Sequence, residues 1–96
     1  MQFIPSNEIK VSVLPEQRPW VCSPDMIRRM VQREDTIAFD IWEEKQLVGF
    51  AMLRKFQEGE WFLWEYMIAG EQQGRGYGRK ALWELIRLMQ TQYGMH

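Results

Sequence analysis

The chain has 96 residues, enough for one modest domain, and its 46% apolar content excludes a disordered segment. Its 12 Lys/Arg and 13 Asp/Glu give a net charge of −1, so no overall field draws it to nucleic acid or to an anionic membrane. A single cysteine, Cys22, excludes an internal disulfide and a multi-cysteine metal site.

Residues 1–8 show no basic stretch followed by an apolar core, and no apolar run reaches spanning length, so the expected setting is cytoplasmic. Residues 6–14 read as a short helix capped by Ser6 or Asn7, with Ile9, Val13 and Leu14 on one side, although Val11 and Val13 also alternate as in a strand. It must stop by Pro15, and residues 15–20 form a loop. A second helix is predicted over 24–34: Ser23 caps, Pro24 suits the first helical position, Asp25 sits in the first turn, and Ile27, Met30 and Val31 share one face.

From Thr36 the period changes to two. Ile37, Phe39 and Ile41 point one way, and Ala38, Asp40 and Trp42 the other. A polar hairpin turn at 43–46 leads to a strand over 47–53, where Gly49 marks a bulge or a close approach. After a turn near Gly59, a third strand covers 61–68, with Leu63, Glu65 and Met67 on one face and Phe62, Trp64, Tyr66 and Ile68 on the other. Both faces are largely apolar, which predicts cover on both sides. The last helix starts in a glycine loop and runs to about residue 91, turning Leu82, Leu85, Ile86 and Met89 inward and ending at Gly94. The order is α-α-β-β-β-loop-α, an α+β (α/β) domain around a three-stranded antiparallel meander. The free side of the 61–68 strand has no partner in the chain, which points to a homodimer that completes the sheet edge.

The loop, Gln72-Gln73-Gly74-Arg75-Gly76-Tyr77-Gly78-Arg79-Lys80, carries the chemistry. Glycines at 74, 76 and 78 let the backbone turn tightly and let another surface approach it. Strand, glycine loop and helix start together form an anion site, because the first N–H groups of a helix lack partners and its dipole adds positive potential. Arg75, Arg79 and Lys80 oppose the dipole's preference for acids in the first turn, a conflict that a bound phosphate or pyrophosphate removes. The alternative is a simple turn with solvated arginines.

Gln73-Gly74-Arg75-Gly76-Tyr77-Gly78 resembles the Gln/Arg-x-x-Gly-x-Gly/Ala signature of the GNAT superfamily, the GCN5-related N-acetyltransferases. Leu47-Val48-Gly49-Phe50 is similar to that family's "L-V-G-F" on the preceding strand, and Leu14-Pro15-Glu16-Gln17 with Trp20-Val21 to a segment of its polyamine-acetyltransferase branch. The resemblance covers about residues 9–95. It implies an acyl-CoA N-acyltransferase fold in which the backbone N–H groups of Gln73, Gly74, Arg75, Gly76, Tyr77 and Gly78 hold the pyrophosphate of acetyl-CoA. The side chains of Arg75, Arg79 or Lys80 would lie near its phosphates. It also implies that Met67 and Ile68 bind the pantetheine arm, that strand N–H groups stabilise the thioester oxyanion, and that Glu65, or else Glu60, is the base for a small amine or polyamine acceptor.

Against the family's pattern, this sequence has little or nothing of the first strand and nothing after the cofactor helix, so it reads as a single truncated domain over 1–96 in which no residue inherits the general acid. Two function classes follow: an N-acetyltransferase that is complete as an oligomer, or an inactive module that binds CoA or dimerises. Gly76-Tyr77-Gly78-Arg79-Lys80-Ala81 also fits a dinucleotide fingerprint, but the antiparallel strands and the lack of an acid about twenty residues on disfavour it. A Walker A loop fails on spacing. His96 and Cys22 read as a terminal and a core residue, and no metal ligand set is expected.

Overall fold

A computed structural model describes residues 1–11, 17 and 23–95. The elements are β1 (Gln2–Pro5), α1 (Pro24–Met30), β2 (Thr36–Glu43), β3 (Gln46–Gln57), β4 (Glu60–Ile68), a 3-10 turn (Gly70–Gln72) and α2 (Tyr77–Gln92). Four strands form one antiparallel sheet in the order β1-β2-β3-β4, so the expected three-stranded meander gains a strand. That strand is β1, where Phe3 pairs with Ile41 and meets Phe39 edge-on at 6.2 Å. Four residues ending in Pro5 give too short an alternation to read from sequence, and proline is tolerated because β1 lies at the sheet edge. The first strand is therefore present.

Residues 6–11 are not helical, which removes the described part of the first expected helix. Its remainder, the loop at 15–20 apart from Gln17, Cys22, the Trp20-Val21 pair and His96 lie outside the described residues.

Helix α1 starts as the sequence implies, with Ser23 Oγ accepting from the Met26 N–H at 3.3 Å and Pro24 opening the first turn. It ends at Met30 rather than 34, because the next N–H groups reach back only three residues: Gln32 to the Arg29 carbonyl and Arg33 to that of Met30. This tightening delivers Asp35 to the start of β2. There its carboxylate accepts from Arg33 at 3.0 and 3.1 Å, from Arg54 at 3.0 Å and from the Thr36 hydroxyl at 3.1 Å. Arg33, then Arg54 and Thr36, hold the Asp35 carboxyl well below the usual carboxylate range against the opposing effect of desolvation. A lowered folded-state value means that the stability contributed is complete above the unfolded carboxyl's pKa of ~4 and is lost as the pH falls towards the folded value. Thermal melts between pH 7 and 2 should therefore show a shallower acid-side decline for Asp35→Asn than for the unmodified protein.

Two irregularities decide which way side chains face. Ile41 pairs with Gly49 but Trp42 with Leu47, leaving Val48 as an extra residue in β3. Likewise Met52 pairs with Glu65 but Leu53 with Leu63, which makes Trp64 a bulge in β4. An uninterrupted period of two puts Trp64 with Tyr66 and Leu63 with Glu65 and Met67. The bulge instead sends Trp64 and Met67 to the α1 side, against Ile27, Met30, Phe50 and Met52, and Tyr66 to the α2 side. Trp64 is also covered by the guanidinium groups of Arg54 and Arg33, 5.5 and 5.9 Å from its ring centroid.

The sheet packs between two helices, but the cover expected on both sides of the third strand reaches only its second half, where Glu65 and Met67 are buried while Phe62 and Leu63 stay exposed. Helix α2 presents Ala81, Leu85 and Met89 to Phe39, Ile41, Val48, Ala51 and Leu53. Its inward stripe is centred on that i, i+4, i+8 row. Leu82, expected inside, is 36% exposed, while Leu88 packs at the flank. Gly94, at φ 70°, ends the helical path, with the Tyr93 and Met95 N–H groups both donating to the Met89 carbonyl.

Candidate functional site: the cavity between β4 and the glycine loop

Strand β4 brings Glu65, Tyr66, Met67 and Ile68 in succession to the mouth of the glycine loop. Gly49, opposite Ile68 on β3, sets how closely the strands approach: a Cβ there would lie 2.6 Å from the Met67 carbonyl oxygen and 3.0 Å from Ile68 Cδ1. Beyond Ile68 the chain is held by the Ala69 N–H on the Val48 carbonyl at 2.8 Å, the Gln72 N–H on the Ala69 carbonyl at 2.8 Å and the Gln73 N–H on the Gly70 carbonyl at 3.4 Å.

The loop then turns through Gly74 and Gly76, both at φ +81°, with open space where a Cβ would stand on either. Gly76 is the N-cap of α2, has no side chain to cap with, and no acidic residue follows in the first turn. Such a helix start leaves its first N–H groups, here those of Tyr77, Gly78 and Arg79, without intrahelical acceptors, and the helix dipole makes the position attractive to an anion. The Lys80 N–H closes the first turn on the Gly76 carbonyl at 3.2 Å.

Two side chains fix this loop. Gln73 exchanges amide hydrogen bonds with Gln17, at 2.7 and 3.0 Å, and donates to the Ile68 carbonyl at 3.0 Å. The Tyr66 hydroxyl donates to the Gly78 carbonyl at 2.5 Å and so ties β4 to the first turn of α2. Burial raises the Tyr66 pKa, which keeps the phenol a neutral donor. Packing does not demand the glycine at 78, because a Cβ there would stand an ordinary 3.7 Å from Ile68 Cγ1.

Between strand and loop lies a cavity of about 520 Å³. Of the residues singled out from sequence, Glu65, Met67, Ile68, Gln73, Gly74, Tyr77 and Gly78 line it, whereas Arg75, Gly76, Arg79 and Lys80 do not. Lys80 is drawn to the β2–β3 hairpin by an ion pair with Glu43 at 2.6 Å, which raises the Lys80 pKa and lowers that of Glu43. Arg75 and Arg79 are exposed and, among the described residues, make no ion pair. Gln17, Tyr66 and Gln72 also line the cavity. Sequence reasoning gave none of the three a role: Gln17 and Tyr66 read as ordinary loop and strand residues, and Gln72 stood at the edge of the glycine loop outside the motif. Among the described residues no cluster of His, Cys, Asp and Glu could hold a metal ion, and no helix is long and apolar enough to cross a membrane.

Residues 7–96, which include every element of this site, match the acetyltransferase (GNAT) family. The chain belongs to that family. The solved structure of an IAA acetyltransferase from Bacillus cereus ATCC 14579 shares its fold, with a TM-score of 0.64 at 19% identity over 98% of this chain. The GNAT chain described here spans 61% of the length of that protein. No curated protein matches it significantly. Membership places the glycine loop, β4 and the start of α2 in a family whose general activity is acyl transfer from acetyl-CoA.

Proposed function

We propose that this chain binds acetyl-CoA in the cavity between β4 and the glycine loop and transfers its acetyl group to an amine. The observation that carries the reading is the loop itself. Two glycines at φ +81° open onto free space beside the uncapped N-terminus of a 16-residue helix, next to a cavity that follows β4. These features fit an elongated ligand with an anionic end. The N–H groups at the start of α2 would hold the diphosphate, with Arg75 and Arg79 nearest in charge, while Lys80 would first have to leave Glu43 to contribute. Met67 and Ile68 would flank the arm.

When bound, acetyl-CoA supplies an acyl group already activated as a thioester. Glu65, 9% exposed on the cavity wall, is the candidate to take the proton from the attacking amine. Its register is set by the Trp64 bulge, which puts it opposite Met52. In the same reading, a second copy of the chain covers the unpaired edge of β4, where Phe62 and Leu63 are 46% and 37% exposed. A single-chain mass at high concentration in solution would remove that part alone.

Calorimetry with acetyl-CoA, followed by an acetyl-transfer assay over simple amines, polyamines and peptides, tests the proposal. Saturable binding with turnover of one acceptor class is expected. Binding without turnover narrows the function to a CoA-binding module, and no binding overturns it.

A further inference from the structure

The glycine loop is held at its flanks by hydrogen bonds, while its glycines have no packing to hold them. Gly74 and Gly76 both have open space where a Cβ would stand, so no neighbour fixes them at φ +81°. Glycine has the most conformational freedom to lose, so such a turn persists only where its flanks fix it. On the helix side, the Tyr66 hydroxyl holds the Gly78 carbonyl. On the strand side stands the Gln73 carboxamide. Its two N–H bonds go to the Ile68 carbonyl at 3.0 Å and to Gln17 Oε1 at 2.7 Å, and its oxygen accepts from Gln17 Nε2 at 3.0 Å. Reversing the amide would set its oxygen against the Ile68 carbonyl, so one orientation is enforced. Gln17 thus supplies two of the three bonds described for that side chain.

Gln17 lies 56 positions from Gln73 in the chain. The stretch that leads towards it is pinned to the α1 side of the sheet. There the Ser6 N–H donates to the Ala38 carbonyl at 2.9 Å, and Lys10 Nζ pairs with the buried Asp40 at 2.8 Å. Ile9 and Val11 pack against the core cluster that contains Met67, itself a cavity-wall residue. The amide pair therefore joins the anion site to the segment before α1. A ligand that needs the loop in this turn binds more tightly the more often the free protein already holds it. We infer that Gln17 is a positioning residue: by holding the Gln73 amide it keeps the glycine loop in the turn that bares the first N–H groups of α2, and so sets the affinity of the anion site. The inference rests on the acetyl-CoA reading above. Linkage makes the effect reciprocal, so that a ligand bound at the loop tightens the Gln17 pair.

Gln17→Leu keeps a side chain of similar size and removes its amide. By calorimetry it should weaken acetyl-CoA binding about tenfold, the effect of one to two partly buried hydrogen bonds. On a Gln73→Leu background the same change should add less than about twofold, because its route to the ligand is already cut. In the ligand-free Gln17→Leu variant the backbone amide resonances of Gly74 and Gly76 should shift or broaden, which the loss of a direct ligand contact would not cause. An undiminished affinity, a loss that persists on the Gln73→Leu background, or glycine resonances unmoved by the substitution each overturns the inference and leaves the acetyl-CoA reading standing. A merely structural role, read as a lower melting temperature with unchanged affinity of the folded variant, overturns it too. Failure of the unmodified protein to bind acetyl-CoA overturns both. Should Gln17→Leu not fold, hydrogen exchange of the Gln17 side-chain amide in the unmodified protein decides the matter. Exchange should slow when acetyl-CoA is bound, and an unchanged rate refutes the link.

Discussion

Gly49→Val should lower folding stability by about 3 kcal/mol or more, a large share of the total of about 5–15 kcal/mol usual for a single domain. The reason is local. The first added carbon would stand 2.6 Å from the Met67 carbonyl oxygen, and 3.3 Å from Ile41 Cδ1 on the other side. Backbone on one side and a packed core side chain on the other leave no direction of relief short of separating β3 from β4. Those strands also hold Met67 and Ile68 in the cavity wall, so any folded remainder should bind ligand poorly. Urea titration measures the loss. A midpoint within experimental error of the unmodified protein would mean that the two strands can part at this point without cost.

Gly76→Val should leave a folded protein that no longer responds to acetyl-CoA. At φ +81° a β-branched residue is strained by about 1–2 kcal/mol, a moderate cost, and nothing stands within 4 Å for its Cβ to collide with. The side chain would instead fill the space over the loop and press the helix start away from its present conformation. For the unmodified protein, acetyl-CoA at a hundred times its dissociation constant stabilises the fold by about 2.7 kcal/mol, a rise in melting temperature on the order of 10 °C. Differential scanning fluorimetry should show that rise lost in Gly76→Val. If the rise persists, the ligand is held elsewhere, and neither the glycine loop nor the start of α2 is its anion site.

Both substitutions concern glycines visible in the sequence, yet for different physical reasons that the sequence shows unequally. Gly74 and Gly76 stand in a loop between a strand pattern and a helix pattern, where left-handed backbone is common, so their role could be read directly. Gly49 sits inside a strand. Its reading as a bulge or a close approach was open until the register placed it beside both Met67 and Ile41, with the bulge at Val48 next to it. In the same way, Ser23-Pro24-Asp25 announced α1 through purely local bonds, but no local pattern showed its early end at Met30 or the meeting of Asp35 with Arg54 of β3 that follows it.

By itself the sequence determined the α1 start, the three long strands, the glycine loop and α2, because each rests on contacts between near neighbours or on side-chain periodicity, while the resemblance to the family rested on the loop motif. Tertiary structure decided the rest: the added strand β1, the face that Trp64 takes, the diversion of Lys80 to Glu43 and the burial of Gln72. Each of these depends on how segments distant in the chain are aligned. A shift of one residue in strand pairing reverses which side chains face a helix, and no local pattern records that alignment.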